Sequence, residues 1–160
     1  MARPNMKRLF ASSKLKVGHI LFEFSTPGIG QILKAANVDF VFIDMEHSGF
    51  GISDIKRIIT SLRAAELPSL VRPPSKNYHH VARVLDVGAD GLILPMVGSV
   101  EEAQEIIQHM SYPPSGHRGI ALGVAHDGYE PKIPAVALPA ANRRIAMAAL
   151  IETVEGLSNV

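Results

Sequence analysis

The chain has no cysteine among its 160 residues. Disulfide frameworks and thiol nucleophiles are therefore excluded, and a reducing compartment is compatible with the composition. Neither sign of charge dominates: 16 Lys and Arg stand against 15 Asp and Glu, for a net charge of +1 with His neutral. No sustained basic patch with interleaved aromatics occurs, so nucleic acid is not an expected partner. Long apolar runs are missing too. Nothing approaches the roughly 20 residues of a membrane span, and "ILF" is too short for a signal-peptide core. No membrane partner is expected. The stretch 1–16, "MARPNMKRLFASSKLK", is basic and free of acids. It is set apart as an N-terminal extension of leader-like composition, and the expected location is the cytoplasm.

What is present is a globular composition, 47% hydrophobic and 19% charged, at a length that fits one domain with a sizeable core. Strand and helix signals alternate along it. "VGHILFEFS" (17–25) reads as a strand, and Pro27 suits the first turn of a helix running through "IGQILKAAN" to a stop at Asn37. Asp39–His47, "DFVFIDMEH", is a second strand. Ser53 is the expected N-cap of a helix carrying Ile55, Ile58, Ile59 and Leu62 on one face.

A third strand, "LPSLVRPP" (67–74), is closed by two prolines. "YHHVARVLDVG" predicts a helix with Val81, Val84 and Leu85 inward and Gly88 at its end. "DGLILPMV" is a fourth strand, and Ser99 with Glu102 has capping-box spacing. Residues 111–144 are irregular, with helical character in "IPAVALPAANRR". "IAMAALIET" (145–153) is a fifth strand, and "VEGLSNV" opens another helix.

Near-continuous apolar strands alternating with helices indicate a parallel sheet covered on both faces. A doubly wound sheet and a (β/α)8 barrel share that pattern. No GxGxxG or P-loop motif follows any strand. Polar residues collect instead at the C-terminal ends of several strands, where barrel sites are built. The expected fold class is α/β, a TIM barrel over 17–160 with about five of its β/α units, since a full barrel takes about 250 residues.

Asp44, Glu46 and His47 end the second strand. They read as a histidine base with nearby carboxylates, or as a strand that turns polar on reaching solvent. Arg72 ends the third strand and suits a substrate carboxylate or oxyanion, or an ion pair with Asp44 or Glu46. Asp86, late on a helix, either orients His47 or is solvated. Glu152 ends the fifth strand, where a carboxylate needs a cation, metal or arginine. Hard oxygen donors favour Mg²⁺ or Mn²⁺. The remaining histidines lack HExxH spacing, with His79, His80 and His109 expected on exposed helix faces. "YPPSGHRG" delivers Arg118 on a rigid turn, to the rim of a site or as a plain loop.

"DFVFIDMEH", "VRPP", "VLDVGADGLILPMV", "SYPPSGHRG" and "ALIET", in this order, resemble the HpcH/HpaI aldolases, class II pyruvate aldolases with a phosphoenolpyruvate/pyruvate-type barrel. The resemblance runs from about residue 17 onward. It implies that His47 is the catalytic base partnered by Asp86, and that Arg72 holds the pyruvate oxygen and its enolate. Asp44 and Glu46 would support the site, and Glu152 would be one of two carboxylate ligands of a divalent metal. Mg²⁺ or Mn²⁺ is expected there, with Co²⁺ or Zn²⁺ as alternatives.

The implied reaction cleaves a 2-keto-3-deoxy sugar acid or 4-hydroxy-2-oxo acid to pyruvate and an aldehyde. The full-length form is expected to be a homo-oligomer. Two departures stand out. Leu150 occupies a position where many relatives carry Gln, and the second metal carboxylate is expected beyond Val160, in a longer chain of which this is a truncated form. A chain that keeps the fold without turnover, as an assembly partner, is the alternative.

Overall fold

A computed structural model describes residues 5–160. Five parallel strands carry the fold: β1 (Gly18–Leu21), β2 (Phe40–Asp44), β3 (Ser69–Arg72), β4 (Gly91–Leu94) and β5 (Ala146–Ala149). They lie side by side in sequence order, β1-β2-β3-β4-β5, with every pairing parallel. A doubly wound sheet reverses its strand order at a switch point. There is no reversal here, so the sheet is an arc of a singly wound barrel.

The strands are short because their useful length is set by burial. Val41 and Ile43 of β2, Val71 of β3 and Leu92 and Leu94 of β4 are all fully or almost fully buried, against both layers of neighbours. Polar residues take over where β2 and β3 emerge, at Asp44, Glu46 and Arg72.

The covering helices include α2 (Ile29–Ala35), α3 (Ile52–Ala64), α4 (Tyr78–Asp86) and α5 (Val100–Met110). In α3 the inward stripe is Ile55, Ile58, Ile59 and Leu62, as the helical spacing predicts. Its N-cap is Gly51, however, and Ser53 lies inside the first turn. The Asp54 carboxylate reaches back to accept the Gly51 N–H at 2.8 Å, and the expected Ser53 cap does not form. Pro27 likewise sits in the turn before α2, not within the helix. The α2–α3 approach is close because Gly30 has no side chain: a Cβ there would meet the Ser61 carbonyl oxygen at 2.2 Å.

Asn37 and Gly88 turn the chain after α2 and α4 with φ of 58° and 111°. Ser99 caps α5 by accepting the Glu102 N–H at 3.1 Å. The reciprocal reach of Glu102 goes one residue further back, to the Gly98 N–H at 2.8 Å.

Most of the first sixteen residues lie within the described part, all but 1–4. Met6–Phe10 forms a short helix, α1, whose Met6 is fully buried with Leu70 and Ala146, beside Leu9 and Phe40. Phe40 and Ala146 open their strands and Leu70 is second in β3, so α1 packs under the N-terminal mouth of the arc. The irregular segment ends in α6 (Pro134–Arg144), with Pro134 at its first turn, and α7 (Val154–Ser158) follows β5. Among the described residues, no helix is long and apolar enough to cross a membrane.

Candidate active site at the strand C-termini

The parallel register sets Asp44 directly beside Arg72 at the ends of β2 and β3. Their side chains lock together. Arg72 donates from Nε to Asp44 Oδ1 and from Nη2 to Asp44 Oδ2, both at 2.7 Å. Asp44 is wholly shielded from solvent. Burial alone pushes its carboxyl up, but the Arg72 fork and the N–H groups of Glu46 and His47 outweigh that and hold it below its ordinary value. Arg72 is raised above its ordinary value, chiefly by the bond to Asp44 against the opposing effect of burial, with the charges of Asp44, Glu46 and Glu152 adding to it.

The chain bends immediately after Asp44. Ser48 Oγ donates to the Asp44 carbonyl at 2.6 Å and accepts the Phe50 N–H at 3.1 Å, which fixes the bend. Glu46 and His47 are carried on it rather than on the strand itself. Glu46 Oε2 lies 3.0 Å from Arg72 Nη1 and 3.6 Å from His47 Nε2. The His47 side chain is 67% exposed. It is thus a solvent-facing imidazole with a carboxylate at its inner side.

Of the two readings open for Arg72, the ion pair is what forms, and with both carboxylates. It does not use up the guanidinium. Its Nε–H and one Nη2 N–H go to Asp44, and the Glu46 contact at Nη1 is an ion pair without a hydrogen bond, so N–H groups on Nη1 and Nη2 remain. The guanidinium also lies over the Phe42 ring, 5.5 Å from its centroid.

Glu152, just past β5, is exposed. Its Oε2 accepts the Met96 N–H at 3.1 Å, and its other oxygen takes no hydrogen bond from the described residues. That leaves one hard donor free, which fits a single ligand position of a divalent cation. A complete donor set is not there: among the described residues, no group of three or more His, Asp or Glu is placed to hold a metal.

Asp86 lies elsewhere. Helix α4 runs back from the C-terminal end of β3 toward the start of β4, so its last residue sits at the far end of the arc from His47. There Asp86 accepts from Arg118 Nη2 at 2.6 Å. Arg118 is only 2% exposed and lies over the Tyr112 ring, 4.5 Å from its centroid. Within this chain Asp86 is thus paired with Arg118 and stays about one-third exposed, and Arg118 is a buried cation rather than a rim residue. His109 is half-buried, not exposed, with its ring 5.7 Å from that of Tyr78 and 5.1 Å from that of His117. His80 is half-buried as well, its Nδ1 2.7 Å from Ser75 Oγ, while His79 is exposed.

One residue at this end of the sheet carries no signal in the sequence. Met96 has a left-handed backbone, φ 48°, which no residue-type signal announces. Lys76 donates to the Met96 carbonyl at 3.0 Å and pairs with Glu102.

The HpcH/HpaI aldolase/citrate lyase profile matches residues 22–160. A hydroxypyruvate/pyruvate aldolase of Roseovarius nubinhibens is 32% identical over 134 residues, covering 84% of this chain and 52% of that protein. A 4-hydroxy-2-oxo-heptane-1,7-dioate aldolase of Escherichia coli is 33% identical over 133 residues, covering 81% and 49%. The crystal structure of an HpcH/HpaI aldolase from Desulfitobacterium hafniense superposes with a TM-score of 0.89 at 30% identity, over 96% of this chain and 59% of that one. The chain spans about half the length of the curated relatives it matches. Its arc of five strands is part of a TIM-barrel-type fold, and the chain belongs to the HpcH/HpaI aldolase/citrate lyase family.

Proposed function

We propose that this chain carries the N-terminal part of the active site of a metal-dependent pyruvate aldolase, cleaving a 4-hydroxy-2-oxo acid or 2-keto-3-deoxy sugar acid to pyruvate and an aldehyde. The observation that carries this is the Arg72 guanidinium, locked by a fully buried Asp44 at the strand ends yet keeping N–H groups for a substrate oxygen. A side chain fixed before substrate arrives needs no reorganisation as charge develops, which is the source of electrostatic catalysis. Arg72 therefore holds the 2-keto oxygen as it becomes an enolate oxygen.

His47, exposed beside Glu46, takes the proton of the 4-hydroxyl as the carbon–carbon bond breaks, directly or through one water. Glu152 contributes one carboxylate toward Mg²⁺ or Mn²⁺. When bound, such a cation supplies a fixed positive charge that polarises the 2-keto group.

A Schiff-base mechanism would need a desolvated, uncommitted lysine amine. Lys76 is the lysine nearest a strand end, and its amine is engaged by Glu102 and by the Met96 carbonyl. That favours the metal reading. If borohydride with pyruvate traps the protein and EDTA leaves turnover intact, the metal reading fails.

The test of the residue roles is pyruvate release, followed by coupled NADH oxidation with Mn²⁺ present. His47→Ala is expected to lower the rate roughly 10²–10⁴-fold, about 3–5 kcal/mol of barrier. Near-normal turnover in that variant, or in Arg72→Ala, would mean the roles are wrongly assigned. A second reading, a chain that keeps the fold without turnover, is favoured by the single carboxylate donor at Glu152. Mn²⁺-dependent pyruvate release by the wild-type chain rejects it.

A further inference from the structure

Met96 is a strained residue at a working end of the sheet. With φ 48° it sits in the left-handed region, which is unfavourable for a residue bearing a Cβ. Such a conformation persists only where its surroundings hold it. They do so from both sides of the residue. The Met96 N–H donates to Glu152 Oε2 at 3.1 Å, and its carbonyl accepts from Lys76 Nζ at 3.0 Å. Val97, next along, donates to the Leu150 carbonyl at 3.1 Å.

Lys76 is itself held by Glu102, whose second oxygen accepts the Gly98 N–H at 2.8 Å. That N–H first, and then Lys76, keep the Glu102 carboxyl below its ordinary value. A continuous chain of polar contacts therefore runs from the first turn of α5 through Lys76 and the Met96 peptides to Glu152.

We propose that Lys76 is a positioning residue for Glu152, acting through the backbone of Met96. The inference rests on the reading of Glu152 as a working carboxylate. An exposed glutamate samples several rotamers. Here one oxygen is pinned by an amide whose direction depends on the left-handed turn, and Lys76 clamps the carbonyl that completes that turn. The other oxygen is then presented in one direction, and the Glu152 charge is among those that act on Arg72. Lys76 is thus assigned neither substrate contact nor covalent chemistry. Its work is to keep the Met96 N–H aimed.

Amide exchange and proton shifts of the 160-residue chain, recorded by NMR without metal or substrate, test this. Lys76→Met is expected to speed Met96 exchange about tenfold, the equivalent of one charge-assisted hydrogen bond. It should also move the Met96 amide proton upfield, in the direction produced by Glu152→Gln. Lys76→Arg, which keeps the cation and its donors, should restore both toward wild type. The amides of Ile43 and Val71 should keep their protection in every variant. The proposal is overturned if Lys76→Met leaves Met96 unchanged, if Lys76→Arg behaves like Lys76→Met, or if the core amides loosen in parallel. None of these readouts needs turnover. Absence of Mn²⁺-dependent pyruvate release would favour the fold without turnover and leave the amide result to decide the positioning role alone.

Discussion

Replacing Asp44 by Asn keeps the shape of the side chain and removes the charge that organises the site. The wild-type carboxylate is wholly buried and takes two bonds of 2.7 Å from Arg72. Deleting one member of a buried ion pair strands the other and costs about 3–5 kcal/mol. Glu46 remains 3.0 Å from Nη1 and shares the stranded charge, so the expectation is the low end of that range, about 3 kcal/mol. For a domain of this size each kcal/mol shifts the melting temperature by about 2–4 °C, so Asp44→Asn should melt about 6–12 °C below wild type near neutral pH.

The difference carries a pH signature whose sign follows from linkage. The Asp44 carboxyl lies lower in the fold than its ordinary 3.8, so the unfolded chain binds the proton first as pH falls. The stabilisation is complete above the ordinary value and disappears as pH drops through the folded value. Wild type and variant should therefore converge in acid. Urea melts of both proteins from pH 7 down to about pH 3 would measure it. A gap below about 1 kcal/mol at pH 7, or one that widens in acid, would show that the Asp44–Arg72 fork is not the main support of this end of the sheet.

Three further outcomes follow from other parts of the molecule. Gly30→Ala gains about 0.5–1 kcal/mol of helix propensity but drives a Cβ to 2.2 Å from the Ser61 carbonyl oxygen. Overpacking costs about 1–3 kcal/mol, so the variant should be less stable than wild type in urea. Met6→Ala empties a fully buried position under the N-terminal mouth of the arc and should cost about 2–5 kcal/mol, read in the same melts. A Met6→Ala protein as stable as wild type would show that α1 is not part of the fold. The losses of rate expected for His47→Ala and Arg72→Ala should come with melting curves close to wild type for the histidine, which is exposed, and a lowered one for the arginine, which is not.

The fold was readable wherever a single physical pattern ruled a segment. The inward stripe of α3, the stops at Asn37 and Gly88 and the apolar runs of β2 and β4 follow from helical spacing, left-handed turns and two-sided burial. Boundaries were less readable. The Asp39–His47 segment continues extended-looking sequence past Asp44, yet the strand ends there because Ser48 and the buried carboxylate bend the chain. Capping positions slipped by one or two residues at Gly51 and at Gly98, since a carboxylate three or four residues away can reach more than one N–H.

The site divides in the same way. The residue types at the strand ends, Asp44, Glu46, His47, Arg72 and Glu152, are visible in the sequence because polar residues are costly at the end of a buried strand unless they serve each other or a ligand. Their partners are not visible. Asp44 meets Arg72 because parallel register aligns two residues 28 positions apart, whereas Asp86 meets Arg118 because α4 returns it to the opposite end of the arc.

Composition and periodicity by themselves determined an α/β chain of strand–helix repeats with acids, a histidine and an arginine at its strand exits. Only tertiary structure decided the singly wound order, the pairing of Arg72 with Asp44, the contact of Asp86 with Arg118, and the contacts that tie Lys76, Met96 and Glu152 together. The physical reason is that periodicity records which face of an element is buried. Register, crossover direction and a backbone held at positive φ depend on contacts between segments that the local sequence does not encode.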